Sequence, residues 1–223
     1  IVHIMKRLAL TEQEIRSLPD TYSTALASGV FPQEFQAENP TVAFLPANLL
    51  TPESGWICIG REDGPIAMSH TEGFPFLGRS VFLVFMRVPE GRDATLSFVQ
   101  ELNQESSPRL PTGLEVALVR RTVLIDQQGS MVFSPIVETV QLRHFQPLQR
   151  FYAFGLNRTL LFANVSGGMK PMNEELSLFF SHGDVFLMGA PIEAEIPGKC
   201  MGCHIDDGQG IWGIKSILSY SRA

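Results

Sequence analysis

Residues 114–145 read LEVALVRRTVLI DQQGS MVF SPI VETVQLRHF, and this stretch decides the fold. Val, Leu and Thr alternate with polar residues over Leu114–Ile125 and again over Val137–Phe145. A period of two places successive side chains on opposite faces of a pleated strand. Asp126-Gln127-Gln128-Gly129 is a turn sequence that joins the first strand to Met131–Phe133. Downstream, strands are expected at Arg158–Val165, Leu176–Ser181 and Val185–Leu187, with Gly183-Asp184 as the hairpin signal between the last two.

Upstream of this β-rich half the signals change. Thr11 and Glu14 form a Ser/Thr-x-x-Glu capping box ahead of a helix that runs to Leu18. After Pro19, Asp20 can cap a second helix from Thr21 to Ser28, with Gly29 as its stop. A proline-rich stretch follows, holding short extended pieces at Val42–Leu45 and Trp56–Ile59. Arg79–Val88, rich in Val and Phe, reads as a buried strand and is turned by Pro89-Glu90-Gly91. Ala94, Phe98, Val99 and Leu102 then fall on one face of a helix over Arg92–Asn103. The expected fold is α+β: a mainly antiparallel β-sheet with N-terminal helices and one central helix. It is read as a single domain over residues 1–223, with a subdivision near 104–113 as the alternative.

Composition bounds the function. Of 223 residues, 44% are hydrophobic and 18% charged, which is globular rather than disordered. A net charge of −6, without clustered Lys and Arg, argues against nucleic-acid binding. The longest apolar run, Val81–Met86, has the length of a buried strand, so no transmembrane segment is expected. The chain begins at Ile1, which is compatible with a signal peptide already removed. Neither a G-x-S-x-G elbow nor Walker spacing is present; Ser166–Lys170 is better explained as a loop. Asp206-Asp207-Gly208 lacks the pattern of a calcium loop. The sequons at Asn157 and Asn164 are discounted.

One segment, 198–223, carries chemistry. Cys200-Met201-Gly202-Cys203-His204 is a complete C-x-x-C-H in a chain with only three cysteines and five histidines. Two thiols at this spacing reach the two vinyl groups of one porphyrin, and the adjacent imidazole lies under the iron. Other readings stay open. A thioredoxin-like dithiol would sit in a βαβ unit, which is not evident here. Zinc would need a fourth ligand such as Cys58, Asp206 or Asp207. A plain Cys200–Cys203 disulfide or thiol pair needs no cofactor at all.

The motif resembles that of the c-type cytochromes. The resemblance implies covalent haem c, with Cys200 and Cys203 as attachment points and His204 as the proximal iron ligand. It also implies a periplasmic or secreted location and a possible redox partner protein. Small class I cytochromes carry the motif early and a distal Met downstream; here no Met or His follows His204. In motif placement the chain is more similar to the cytochrome P-460 and c′-β group, although the lysine cross-link of the former has no match. The tail after the motif also looks like that of secreted bacterial proteins with no activity to borrow.

Any distal ligand must come from upstream. His182, at the Ser181-His182-Gly183 turn, is the first candidate, followed by Met169, Met172 and Met188, each more simply core filling. Met169–Met172 is read as a flexible loop. His3, His70 and His144 are expected to be surface or strand histidines. Phe179, Phe180, Phe186 and Trp212 could wall a haem pocket, or simply pack a core. The expected function is extracytoplasmic electron transfer or small-molecule redox chemistry. The alternatives are a secreted, cofactor-free binding module and a dithiol redox enzyme; whether the chain is an enzyme is left open.

Overall fold

The computed structural model of the chain describes residues 2–59, 80–104, 109–145 and 150–172. Three short helices come first: α1 (Val2–Leu8), α2 (Glu12–Arg16) and α3 (Thr21–Ala27). The expected caps set their boundaries. Thr11 Oγ1 accepts from Glu14 N at 3.2 Å while Glu14 Oε2 accepts from Thr11 N at 2.8 Å. These two bonds satisfy donors that the first turn would otherwise leave orphaned. Asp20 accepts from both Tyr22 N and Ser23 N. Gly29 takes φ +66° just past α3, a conformation only glycine adopts without strain.

A six-stranded antiparallel sheet follows, its strands lying side by side in chain order. They are β1 (Ile57–Ile59), β2 (Ser80–Arg87), β3 (Glu115–Ile125), β4 (Met131–His144), β5 (Arg150–Leu156) and β6 (Met169–Met172). The central helix α4 (Arg92–Gln104) links β2 to β3, and a short α5 (Arg158–Phe162) lies between β5 and β6. The α+β expectation is met. β2 and β3, on either side of 104–113, pair from Ser80↔Thr122 to Arg87↔Glu115.

Register partners share a face of the sheet. Phe85, Ala117, Leu142 and Tyr152 form one such row, and with Val119, Val140 and Phe154 they build the larger core. Tyr22 and Ala25 of α3, with Phe44, Leu45 and Leu49 of the following loop, close that core. Tyr22 Oη donates to Pro46 O at 2.6 Å and Tyr152 Oη to Pro40 O at 2.5 Å, so the loop is fastened from both sides. On the opposite face, Phe98 and Leu102 of α4 cover Phe82, Val84, Met86 and Val116.

Several local expectations are corrected. Met131–Phe133 and the strand expected at Val137–Phe145 form one strand, β4, running through Ser134-Pro135-Ile136 and ending at His144. Pro135 is tolerated because β5 pairs with β4 only from Thr139 onward, leaving the outer edge of residues 131–138 without a strand partner among the described residues. Thr21 occupies part of that edge: its Oγ1 donates to Val137 O at 3.1 Å and accepts from Val137 N at 2.8 Å. Arg158–Val165 is not a strand. Asn157 Oδ1 accepts from Leu160 N at 3.0 Å, and this N-cap starts α5 instead. The Met169–Met172 loop is a strand, paired to β5 with Pro171 on the sheet edge. No ladder forms at Val42–Leu45, where Leu45 N donates to Pro32 O across a loop. The strands expected at Leu176–Ser181 and Val185–Leu187 lie outside the described residues.

Candidate functional site

Cys200, Cys203, His204 and His182 lie outside the described residues, as do Met188, His70, Asp184, Asp206, Asp207 and the aromatics Phe179, Phe180, Phe186 and Trp212. The candidates that are described are scattered over the fold. Met169 begins β6, pairs with Leu156 and is 1% exposed within the larger core. It fills space there. Met172, at the other end of β6, pairs with Ala153 and lies against Gly155, on the opposite face. Lacking a side chain, Gly155 leaves the room that the Met172 thioether takes. His144 ends β4 and is buried, a strand histidine, while His3 lies in α1.

Cys58 sits in β1, half-buried beside Phe85. Burial pushes its thiol up to about 11, against the opposing pull of the Arg121 guanidinium. A thiol held protonated at neutral pH is a poor nucleophile and a poor metal ligand. Among the described residues, no group of three or more His, Cys, Asp and Glu is placed to hold a metal ion. No helix among them is long and apolar enough to cross a membrane.

Two polar clusters that the sequence did not announce are built into the sheet. The first is a row across neighbouring strand ends, Arg87↔Glu115↔His144↔Arg150, which rims the larger core. Arg87 Nε donates to Glu115 Oε2 at 2.8 Å, and Arg87 Nη2 reaches Glu34 Oε2 at 3.1 Å. The Arg87 guanidinium stacks over Trp56 at 5.0 Å. Burial opposes its charge, but the Glu115 and Glu34 carboxylates more than restore it and raise its proton affinity. Phe35, next to Glu34 in the loop, lies flat on the His144 ring with centroids 3.8 Å apart. The loop tip is therefore gripped twice by one row. The indole N–H of Trp56 and Nδ1 of His144 are buried without a hydrogen-bond partner among the described residues.

The second cluster lies at a β-bulge, where the β3–β4 register shifts between Arg120 and Arg121. Glu138, the extra residue opposite the shift, accepts from Ser80 Oγ at 2.7 Å and pairs with Arg120 Nε at 3.1 Å. Ser80 and Arg120 are both buried. In both clusters the carboxylate is already held by arginine, which suits it to fixing strand ends and not to abstracting a proton. The only sequence signal for either was charged residues interrupting apolar strands.

Comparison with protein-family models, with curated proteins and with solved structures finds no match.

Proposed function

We propose that the chain carries one haem c and works in electron transfer or small-molecule redox chemistry outside the cytoplasm. The observation that carries this reading is the complete C-x-x-C-H at Cys200–His204 in a chain otherwise poor in cysteine and histidine. The donor set suits the group: two thiols at vinyl spacing and one neutral imidazole beside them. Each thiol would add its S–H across a vinyl double bond, a step that neither gains nor loses electrons. His204 would hold the iron from the proximal side. Bound haem supplies one-electron chemistry at its iron, and the protein tunes it through the distal side.

Met169 is committed to the core and His144 to Phe35 and Glu115. His182 stays the leading distal candidate, and an open sixth position is the alternative. A redox partner protein follows from the electron-transfer reading.

The test is peptide mass mapping of protein made in a host that attaches haem c. The peptide containing Cys200 and Cys203 is expected to carry the mass of one haem. A peptide with two alkylatable thiols, or with an internal disulfide, would instead favour the cofactor-free or dithiol readings. A ferrous spectrum that changes on adding carbon monoxide marks an open sixth position; an unchanged one marks a sixth protein ligand.

A further inference from the structure

The sheet face that α4 covers continues across β4, β5 and β6, and it stays buried there. Register fixes its rows: Val116↔Arg143↔Phe151, Leu118↔Gln141↔Ala153↔Met172 and Arg120↔Thr139↔Gly155↔Lys170. Val116 and Leu118 pack in the cluster that holds Phe98 and Leu102 of α4. No residue of β5 or β6 belongs to that cluster, because α4 packs on β1 and β2, at the other side of the sheet. Yet Thr139, Gln141 and Ala153 are only 5%, 7% and 4% exposed. Phe151, Gly155 and Met172 beside them are half-buried. A sheet face withdrawn this far from water has a second layer of chain over it.

We propose that residues 173–223, the segment that carries the C-x-x-C-H, pack on this face of β4, β5 and β6. The first reason is position. Among the described residues β6 is the last strand of the sheet, and its final residue, Met172, lays its thioether over Gly155 on this face. The chain therefore leaves the sheet at the border of the buried area. The other long segment, residues 60–79, joins β1 to β2 at the far side of the sheet. The second reason is charge. The three rows hold Arg120, Arg143 and Lys170 and no carboxylate. Arg120 is answered by Glu138. Residues 173–223 carry seven acids against three bases, so they complement a face whose other charges are positive. The third is composition: Leu176–Leu187 is rich in Leu, Phe and Val, which gain by leaving water against Phe151, Ala153 and Met172. The packing does not require haem.

The test places the photo-cross-linker p-benzoylphenylalanine at Phe151 in the full chain and, separately, at Lys170. Lys170 is exposed, so the second position leaves the fold intact. After illumination, peptide mass mapping is expected to find both positions joined to residues 173–223 of the same molecule, in a yield unchanged by dilution. Cross-links that fall only on residues 60–79 or elsewhere in the chain, cross-links between two copies that vanish on dilution, or no cross-link from either position would overturn the proposal. None of these readouts depends on the iron, so failure here is distinct from failure of the haem reading.

Discussion

Glu115 holds Arg87 with a single oxygen: Oε2 lies 2.6 Å from Arg87 Nη2 and 2.8 Å from Nε. Its other oxygen is turned toward His144 Nδ1 at 3.5 Å. The Glu115 side chain is 5% exposed, so the pair is shielded on the carboxylate side and half-open on the arginine side. Removing one partner of a buried pair costs more than forming the pair contributes, because the remaining charge is stranded. Glu115→Ala is therefore expected to destabilise the fold by about 3 kcal/mol. Glu34→Ala, which removes the exposed partner of the same guanidinium, is expected to cost less than about 1 kcal/mol. Urea unfolding of the two variants checks the contrast; equal costs would refute the distinction.

The Thr21 hydroxyl closes a piece of open strand edge. It is both donor and acceptor to the Val137 backbone, and the residue is 2% exposed. Thr21→Val keeps the shape and leaves a buried N–H and C=O without partners. Its expected cost is about 1–3 kcal/mol, measured by thermal or urea unfolding. The freed edge should also make the variant aggregate more readily.

Gly167 packs against α3 so closely that a Cβ there would overlap the Thr21 carbonyl and lie 2.9 Å from Ala25 N. Its φ of +58° adds backbone strain for any other residue. Gly167→Ala is expected to lose more than about 1 kcal/mol of stability. Gly29→Ala, with a similar φ of +66° and open space around its Cβ, should lose less. Comparing the two separates crowding from backbone strain.

The Cys58 thiol is raised to about 11 by burial, from an ordinary value of 9.0. The folded state therefore holds its proton through a window in which the unfolded chain has lost it. Stability from this group is fully present below about 9 and is lost as pH rises through about 11. Alkylation of folded protein by iodoacetamide at pH 8 should be slow at Cys58 and become fast on denaturation. Rapid modification of Cys58 in the folded protein would contradict the assignment.

The sequence made legible what is local. Thr11 with Glu14, Asp20 and Gly29 mark helix ends through neighbours a few residues away, and all three appear where expected. Arg79–Val88 and Arg92–Asn103 were readable for the same reason: each shows its periodicity within itself. What failed was decided by partners far along the chain or by one overlooked cap. Met169-Lys170-Pro171-Met172 looks like a loop until β5 offers it an edge. Arg158–Val165 has strand-like composition, but Asn157 starts a helix there. The Arg87, Glu115 and His144 row exists only once the register is set, so no local pattern could announce it. The C-x-x-C-H motif is legible as chemistry in the sequence itself, because its three groups are neighbours along the chain.

The reading of this chain as a haem c protein stands on Cys200, Cys203 and His204. Protein purified from its natural host should show a Soret band, and after acid–acetone treatment the haem should stay with the precipitated polypeptide. Haem that leaves with the acetone, or no Soret band together with full alkylation of Cys58, Cys200 and Cys203 after reduction, would contradict it.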